Sequence, residues 1–122
     1  MTIANLAKSY NNFQNEYGQS MRPDYEGVIN ELFSVDLKKV ANGQELVAKR
    51  DGLGLQLAGV KAFAGKWTIN ANVIIPSIDN KQCTIRYILC SEKAGKFDVI
   101  AILSSANGKQ IDAIDEIYYQ MS

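Results

Sequence analysis

Histidine is absent from this 122-residue chain, and that absence removes much of enzyme chemistry at once. Ser-His-Asp and Cys-His triads are excluded, and so is a histidine-based zinc site. Cysteine is scarce as well, at two residues. Cys83 and Cys90 fall on one predicted strand, on opposite faces and roughly 23 Å apart at ~3.3 Å per residue. They cannot bridge within that strand, they are expected to be free structural thiols, and they cannot by themselves build a thiolate metal site. Neither standard glycine-rich phosphate loop occurs. Charge of one sign is missing too: thirteen Lys and Arg balance thirteen Asp and Glu, which gives no electrostatic drive toward nucleic acid or an anionic membrane. No apolar run approaches the ~20 residues of a bilayer-spanning helix. Asn5, Lys8, Ser9, Asn11 and Asn12 interrupt any signal-peptide pattern at the N-terminus. The expectation is a cytoplasmic protein without metal, cofactor, nucleic-acid or membrane partner, left with carboxylate, tyrosine, lysine and arginine for any chemistry.

Hydrophobic residues supply 47% of the chain, enough for a real core, and the length fits one domain over 1–122. The first half has helical periodicity. Ile3, Leu6, Ala7, Tyr10, Phe13 and Tyr17 share one face, with Gly18 as the stop. A second helix is expected to open at Pro23 and to carry Tyr25, Val28, Ile29, Leu32 and Phe33 on its apolar side. A short strand over Val35 to Val40 follows. A third helix is expected from Asn42, with Glu45 three residues on as a variant capping box. Its stripe runs through Leu46, Val47, Arg50, Leu53, Leu57 and Val60. Gly52, Gly54 and Gly59 weaken that helix by up to ~1 kcal/mol each; close packing on a sheet and room for a ligand both explain them.

From Trp67 the period changes to two. Trp67, Ile69, Ala71, Val73 and Ile75 alternate with polar residues up to Pro76, and Ser77 to Asn80 form a turn. Cys83, Ile85, Tyr87 and Leu89 share a face of the next strand. Phe97, Val99, Ala101 and Leu103 share one of the third, beyond a turn at Ala94-Gly95. Asn107-Gly108 is a strong hairpin signal, and the last strand runs from Lys109 to about Gln120. Helices followed by hairpin-linked strands describe an α+β fold: N-terminal helices packed in the concavity of a strongly curved antiparallel sheet.

This order and length resemble the nuclear transport factor 2-like superfamily, the cystatin-like cone that includes SnoaL-like cyclases and ketosteroid isomerase-like proteins. The Leu32-Phe33-Ser34-Val35-Asp36 run before Asn42-Gly43 resembles its exit from helix two. Asn107-Gly108-Lys109 before a long acidic strand resembles its terminal hairpin. The resemblance implies a pocket in the cone. Its isomerase branch implies a general-base aspartate near Val40 or Ala41, which cannot take a proton, with Asp36 the nearest acid. It also implies a donor tyrosine in helix one, which Tyr10 or Tyr17 matches by position. The cyclase branch implies an acidic residue on a late strand, where Asp115 is nearest.

Asp115 interrupts an expected apolar face of Ile111, Ala113, Ile117 and Tyr119. Either it sits in a polar pocket as the catalytic acid or base, or a bulge turns it outward. Arg50 either lays its stem along the core or reaches into the cavity. Tyr10, Tyr17, Trp67 and Tyr87 are the candidate aromatic walls. The other sheet face mixes Ile74, Ile88, Ile100, Ile102 and Ile114 with Arg86, Asp98, Asp112 and Glu116, too apolar for a solvated surface. It is expected to pair two copies as a homodimer. The leading functional expectation is a cone that binds a small apolar molecule, with cofactor-independent proton transfer or cyclase-like chemistry. The alternative is a non-catalytic homodimeric interaction module.

Overall fold

Thr2 caps the first helix, α1 (Ile3–Gly18), its hydroxyl accepting from the backbone N–H of Asn5. In the computed structural model, which describes residues 2–121, the apolar stripe read from the sequence is the buried face of this helix: Ile3, Leu6, Ala7, Tyr10 and Phe13 lie in the core. The helix keeps Gly18 as its last residue and is capped by Gln19. A Cβ at Gly18 would overlap the Trp67 indole and the Trp67 carbonyl. This glycine is required by close approach, not only as a stop signal.

The second helix, α2 (Glu26–Leu32), starts three residues beyond Pro23. Pro23 lies in the preceding loop, where the Tyr25 hydroxyl accepts from the Arg22 N–H and donates to the Glu16 carbonyl, tying the loop to α1. Strand β1 (Phe33–Ala41) follows directly.

The sequence and the structure part at Asn42-Gly43. This pair is not the start of a helix. It is a two-residue turn, with φ of 49° and 81°, that folds β2 (Gln44–Val47) back on β1 with Ala41 opposite Gln44. Two successive positive φ values are what a tight hairpin needs and what Asn-Gly supplies. The Asn42 side chain is occupied by the backbone of Tyr118, accepting from its N–H and donating to its carbonyl. Helix α3 (Leu53–Ala64) begins only after a 3-10 turn at Arg50–Gly52. A Cβ at Gly54 or Gly59 would meet open space, so close packing does not account for those glycines.

Four strands complete the chain: β3 (Trp67–Pro76), β4 (Gln82–Ser91), β5 (Gly95–Ser104) and β6 (Ile111–Gln120). Among the described residues the sheet has six strands, in the order β2-β1-β6-β5-β4-β3. All neighbours are antiparallel except β1 and β6, which run parallel, so the sheet is mixed. The β5–β6 connection spans residues 105–110; Gly108 there has φ 73°, and the Asn107 side chain accepts from the N–H groups of Lys109 and Gln110.

Two irregularities reassign faces. In β3 the register shifts between Ala71 and Val73, so Ile74 pairs with inward Ile85, while Val73 and Ile75 turn out. In β6, Ile111 and Ile114 are both fully buried although three residues apart, and from Ile114 the inward positions are Ile114, Glu116 and Tyr118, paired with Leu103, Ala101 and Val99. Ile74 and Ile114 therefore leave the expected outer face, and Asp115, Ile117 and Tyr119 join it. The core lies between α1 and the inner face, where Tyr10, Phe13 and Phe33 pack edge-on around Ile85, Leu103 and Ile111. Among the described residues no helix is long and apolar enough to cross a membrane.

Candidate functional site

Between α3, β2 and the inner sheet face lies a cavity of about 460 Å³. Leu46, Gln56, Gly59, Val60 and Phe63 line it from β2 and α3; Trp67, Tyr87, Leu89, Phe97, Val99 and Tyr118 line it from the sheet. The lining is mostly apolar, with one opposed pair of charges: Lys39 on β1 and Glu116 on β6. The strands are neighbours, and parallel pairing sets Lys39 beside Ile114 and Ala41 beside Glu116. Both side chains therefore point inward, two positions apart on adjacent strands.

Both are deeply buried, Lys39 at 5% exposure and Glu116 at 9%. Burial pushes the Glu116 carboxyl up from its ordinary range, and the Lys39 ammonium partly opposes this. Burial pulls Lys39 down, with Glu116 opposing. For each group desolvation outweighs the attraction of its partner, as expected of charges removed from water. Lys39 Nζ donates to Gln56 Oε1 at 3.0 Å, which ties the sheet floor to α3.

Gln14 of α1 closes the other side. Its Oε1 accepts from the Tyr87 hydroxyl at 3.3 Å, its carbonyl accepts from Trp67 Nε1 at 3.0 Å, and its Nε2 has no partner among the described residues. The Tyr10 hydroxyl is likewise buried without one. Burial, reinforced by Tyr87 and Glu116, holds the Tyr10 phenol protonated; burial and Glu116 do the same for Tyr87.

The residues singled out from the sequence separate into three groups. Trp67 and Tyr87 are cavity walls. Tyr10 is buried in the core behind them. Tyr17 and Arg50 line a different cavity, of about 580 Å³, beside α2. Tyr17 stacks on Trp67 with ring centroids 5.8 Å apart. The Arg50 guanidinium donates to the carbonyls of Asn30 and Phe33, so it caps the C-terminal end of α2 and does not enter the cavity. Asp115 is corrected most plainly: it is exposed on the outer face opposite Ile102, because the β6 irregularity turns it out and brings Glu116 in.

Lys39 and Glu116 were missed for different reasons. Lys38 and Lys39 are consecutive in a strand, so period two alone sends one of them inward. For Glu116 the signal was weaker: isoleucines at 111, 114 and 117 recur every three residues, which an unbroken strand cannot place on one face.

On the outer face Arg86 makes a two-pronged contact with Asp98, Nε to Oδ1 at 3.0 Å and NH2 to Oδ2 at 2.6 Å, and the Tyr119 hydroxyl donates to Asp98 Oδ2 at 3.2 Å. Around them Ile100 (45% exposed), Ile102, Ile117 (67%) and Ile75 face solvent. Both cysteines are free, Cys83 buried and Cys90 half-buried.

No family model matches this sequence, and no curated protein does. Solved structures do match. An uncharacterised cystatin-fold protein from Novosphingobium aromaticivorans superposes with a TM-score of 0.75 at 17% identity, over 96% of this chain and 98% of that one. An NTF2-like protein of unknown function from an Exiguobacterium species gives 0.72 at 21%, over 93% and 98%. A candidate isomerase of the SnoaL-like family from Agrobacterium tumefaciens gives 0.72 at 12%, over 94% and 95%. At these identities the likeness is one of fold: the chain adopts the α+β cone shared by NTF2-like, SnoaL-like and cystatin-fold proteins.

Proposed function

We propose that this cone binds a small, mostly apolar molecule in the cavity beneath α3 and moves a proton on it, with Glu116 as general acid or base. One observation carries the reading: a buried carboxylate lines a mostly apolar cavity, its pKa raised by burial. A carboxyl lifted toward neutrality is suited to proton transfer near physiological pH. The free Gln14 amide is a hydrogen-bond donor for a carbonyl or enolate oxygen, and the Tyr87 phenol, which donates to Gln14 Oε1, holds that amide in place. The SnoaL-like fold neighbour described as a candidate isomerase supports the reading by analogy of fold, which is a weaker warrant than the site itself.

The test is exchange of α-protons. 2-Tetralone in deuterated buffer, followed by proton NMR, is expected to lose its α-proton signals faster with the protein than without it, and Glu116→Gln is expected to remove the acceleration. Equal exchange in the presence and absence of the wild-type protein would overturn the proposal.

We also propose that a second copy covers the outer sheet face in solution. The exposed Ile75, Ile100, Ile102 and Ile117 support this, since burying each large aliphatic side chain is worth roughly 1.5–3 kcal/mol. Arg86 and Asp98 neutralise each other within the patch, so that pair brings no net charge to a contact between two identical faces, the arrangement of a two-fold dimer.

A further inference from the structure

Proton transfer by Glu116 leaves the chemistry of Lys39 unused. Lysine seldom enters an apolar interior, yet here Lys39 is buried near the end of β1 and lines the cavity. Among the described residues its one hydrogen-bond partner is Gln56, and no carboxylate lies within 4.0 Å of it. An ammonium has three donors to satisfy; a neutral amine held by one acceptor keeps a lone pair free. Desolvation favours that neutral amine. A desolvated lysine in an apolar pocket is the usual setting of an amine nucleophile.

We propose that Lys39 condenses with the carbonyl carbon of an apolar aldehyde or ketone in the cavity to form a Schiff base, with Glu116 carrying the protons. The inference rests on the cavity being a ligand site, as read above. The nitrogen lone pair attacks the carbonyl carbon as the C=O π electrons move to oxygen. That oxygen takes the proton of the Glu116 carboxyl, and the nitrogen returns one to the carboxylate, leaving a neutral carbinolamine. A second transfer from Glu116 expels the hydroxyl as water while the nitrogen lone pair forms the C=N bond. Loss of the remaining nitrogen proton to the Glu116 carboxylate restores the acid. Amine and carbonyl thus become imine and water, with no oxidant or reductant involved.

The probe is 2-naphthaldehyde, which has no α-proton and so does not report the reaction proposed above. Sodium cyanoborohydride reduces any imine to a stable naphthylmethyl amine, located by peptide mass mapping. Exposed Lys8, Lys81 and Lys109 serve as internal references, so the measurement needs no variant. Lys39 is expected to be labelled at least ~10-fold faster than those three at neutral pH. Lys39→Met, checked for folding by circular dichroism, is expected to lose only the fast phase. Labelling of Lys39 no faster than the references would overturn the Schiff base. Binding of 2-methylnaphthalene, followed by its fluorescence, separates the two readings. If it binds while Lys39 stays unlabelled, Schiff-base formation fails and the ligand site stands. If it does not bind and Lys39 stays unlabelled, both fail.

Discussion

Lys39 and Glu116 face the same cavity from adjacent strands, and burial drives each toward its neutral form more strongly than the other holds it charged. That balance has a sign that can be measured. The raised Glu116 pKa contributes stability that is present below its unfolded value and lost as pH rises through the folded one. The lowered Lys39 pKa contributes stability that is present above its unfolded value and lost as pH falls through the folded one. Against the double variant Lys39→Met/Glu116→Gln, which titrates at neither position, wild type should therefore be weakest between the two titrations and recover on either side. Urea unfolding across a pH series reads this directly. A stability maximum in the middle of the range would mean that attraction outweighs desolvation.

Asp115 and Glu116 are neighbours in sequence with opposite surroundings. Asp115→Asn should leave stability within about 0.5 kcal/mol and ligand binding unchanged, as for other exposed substitutions. Glu116→Gln should abolish proton transfer while the fold survives. An Asp115 variant as inactive as the Glu116 one would reverse the assignment of faces along β6.

Most of the frame was legible in the sequence because it rests on periodicity. The α1 stripe, the four strands from Trp67, and the inward set Ile85, Tyr87, Val99, Ala101 and Leu103 lie where three-to-four and two-residue spacing puts them. The site was not, and the cause is local. Alternation carries a face assignment only until a strand gains a residue. Irregularities after Ala71 and within β6 exchanged Ile74, Ile114 and Glu116 for Val73, Asp115 and Ile117. Asn42-Gly43 fits both a helix cap and a hairpin in sequence, and only the presence of β1 and β6 beside it decides for the turn. The β1–β6 parallel contact joins strands separated by most of the chain, which no local pattern reports.

Gly18 should tolerate no side chain. The indole of Trp67 and its carbonyl occupy the space a Cβ would need, and Trp67 is held by its bond to Gln14. Gly18→Ala should cost about 1–3 kcal/mol, the usual range for overpacking, although alanine favours helix. Denaturant unfolding that shows a stabilised variant would contradict the contact.

Arg50 is a structural cap. Arg50→Met keeps the stem and removes the donors to the Asn30 and Phe33 carbonyls, so stability should fall by about 1–2 kcal/mol with binding in the cavity unaffected. A large loss of binding with stability intact would restore Arg50 to the site.

The outer face yields the last prediction. Ile100 and Ile102 on β5, with Ile117 on β6, form an apolar strip beside the Arg86–Asp98–Tyr119 cluster. Asp98 is only 5% exposed, since Arg86 and Tyr119 already shield it, so its burial under a second copy costs little further desolvation. A lysine on the strip would add a charge to the contact, beside Arg86 at position 100 and opposite Asp115 at position 102; at position 100 it gains a cationic neighbour, and an uncompensated buried charge costs about 3–5 kcal/mol. Ile100→Lys and Ile102→Lys should each convert a dimer into monomers or aggregates, read by sedimentation velocity at micromolar protein. Both substitutions lie on the face opposite the cavity, so any soluble monomer should keep its ligand affinity. A wild-type chain that sediments as a stable monomer at that concentration would remove the second copy as the partner of this face.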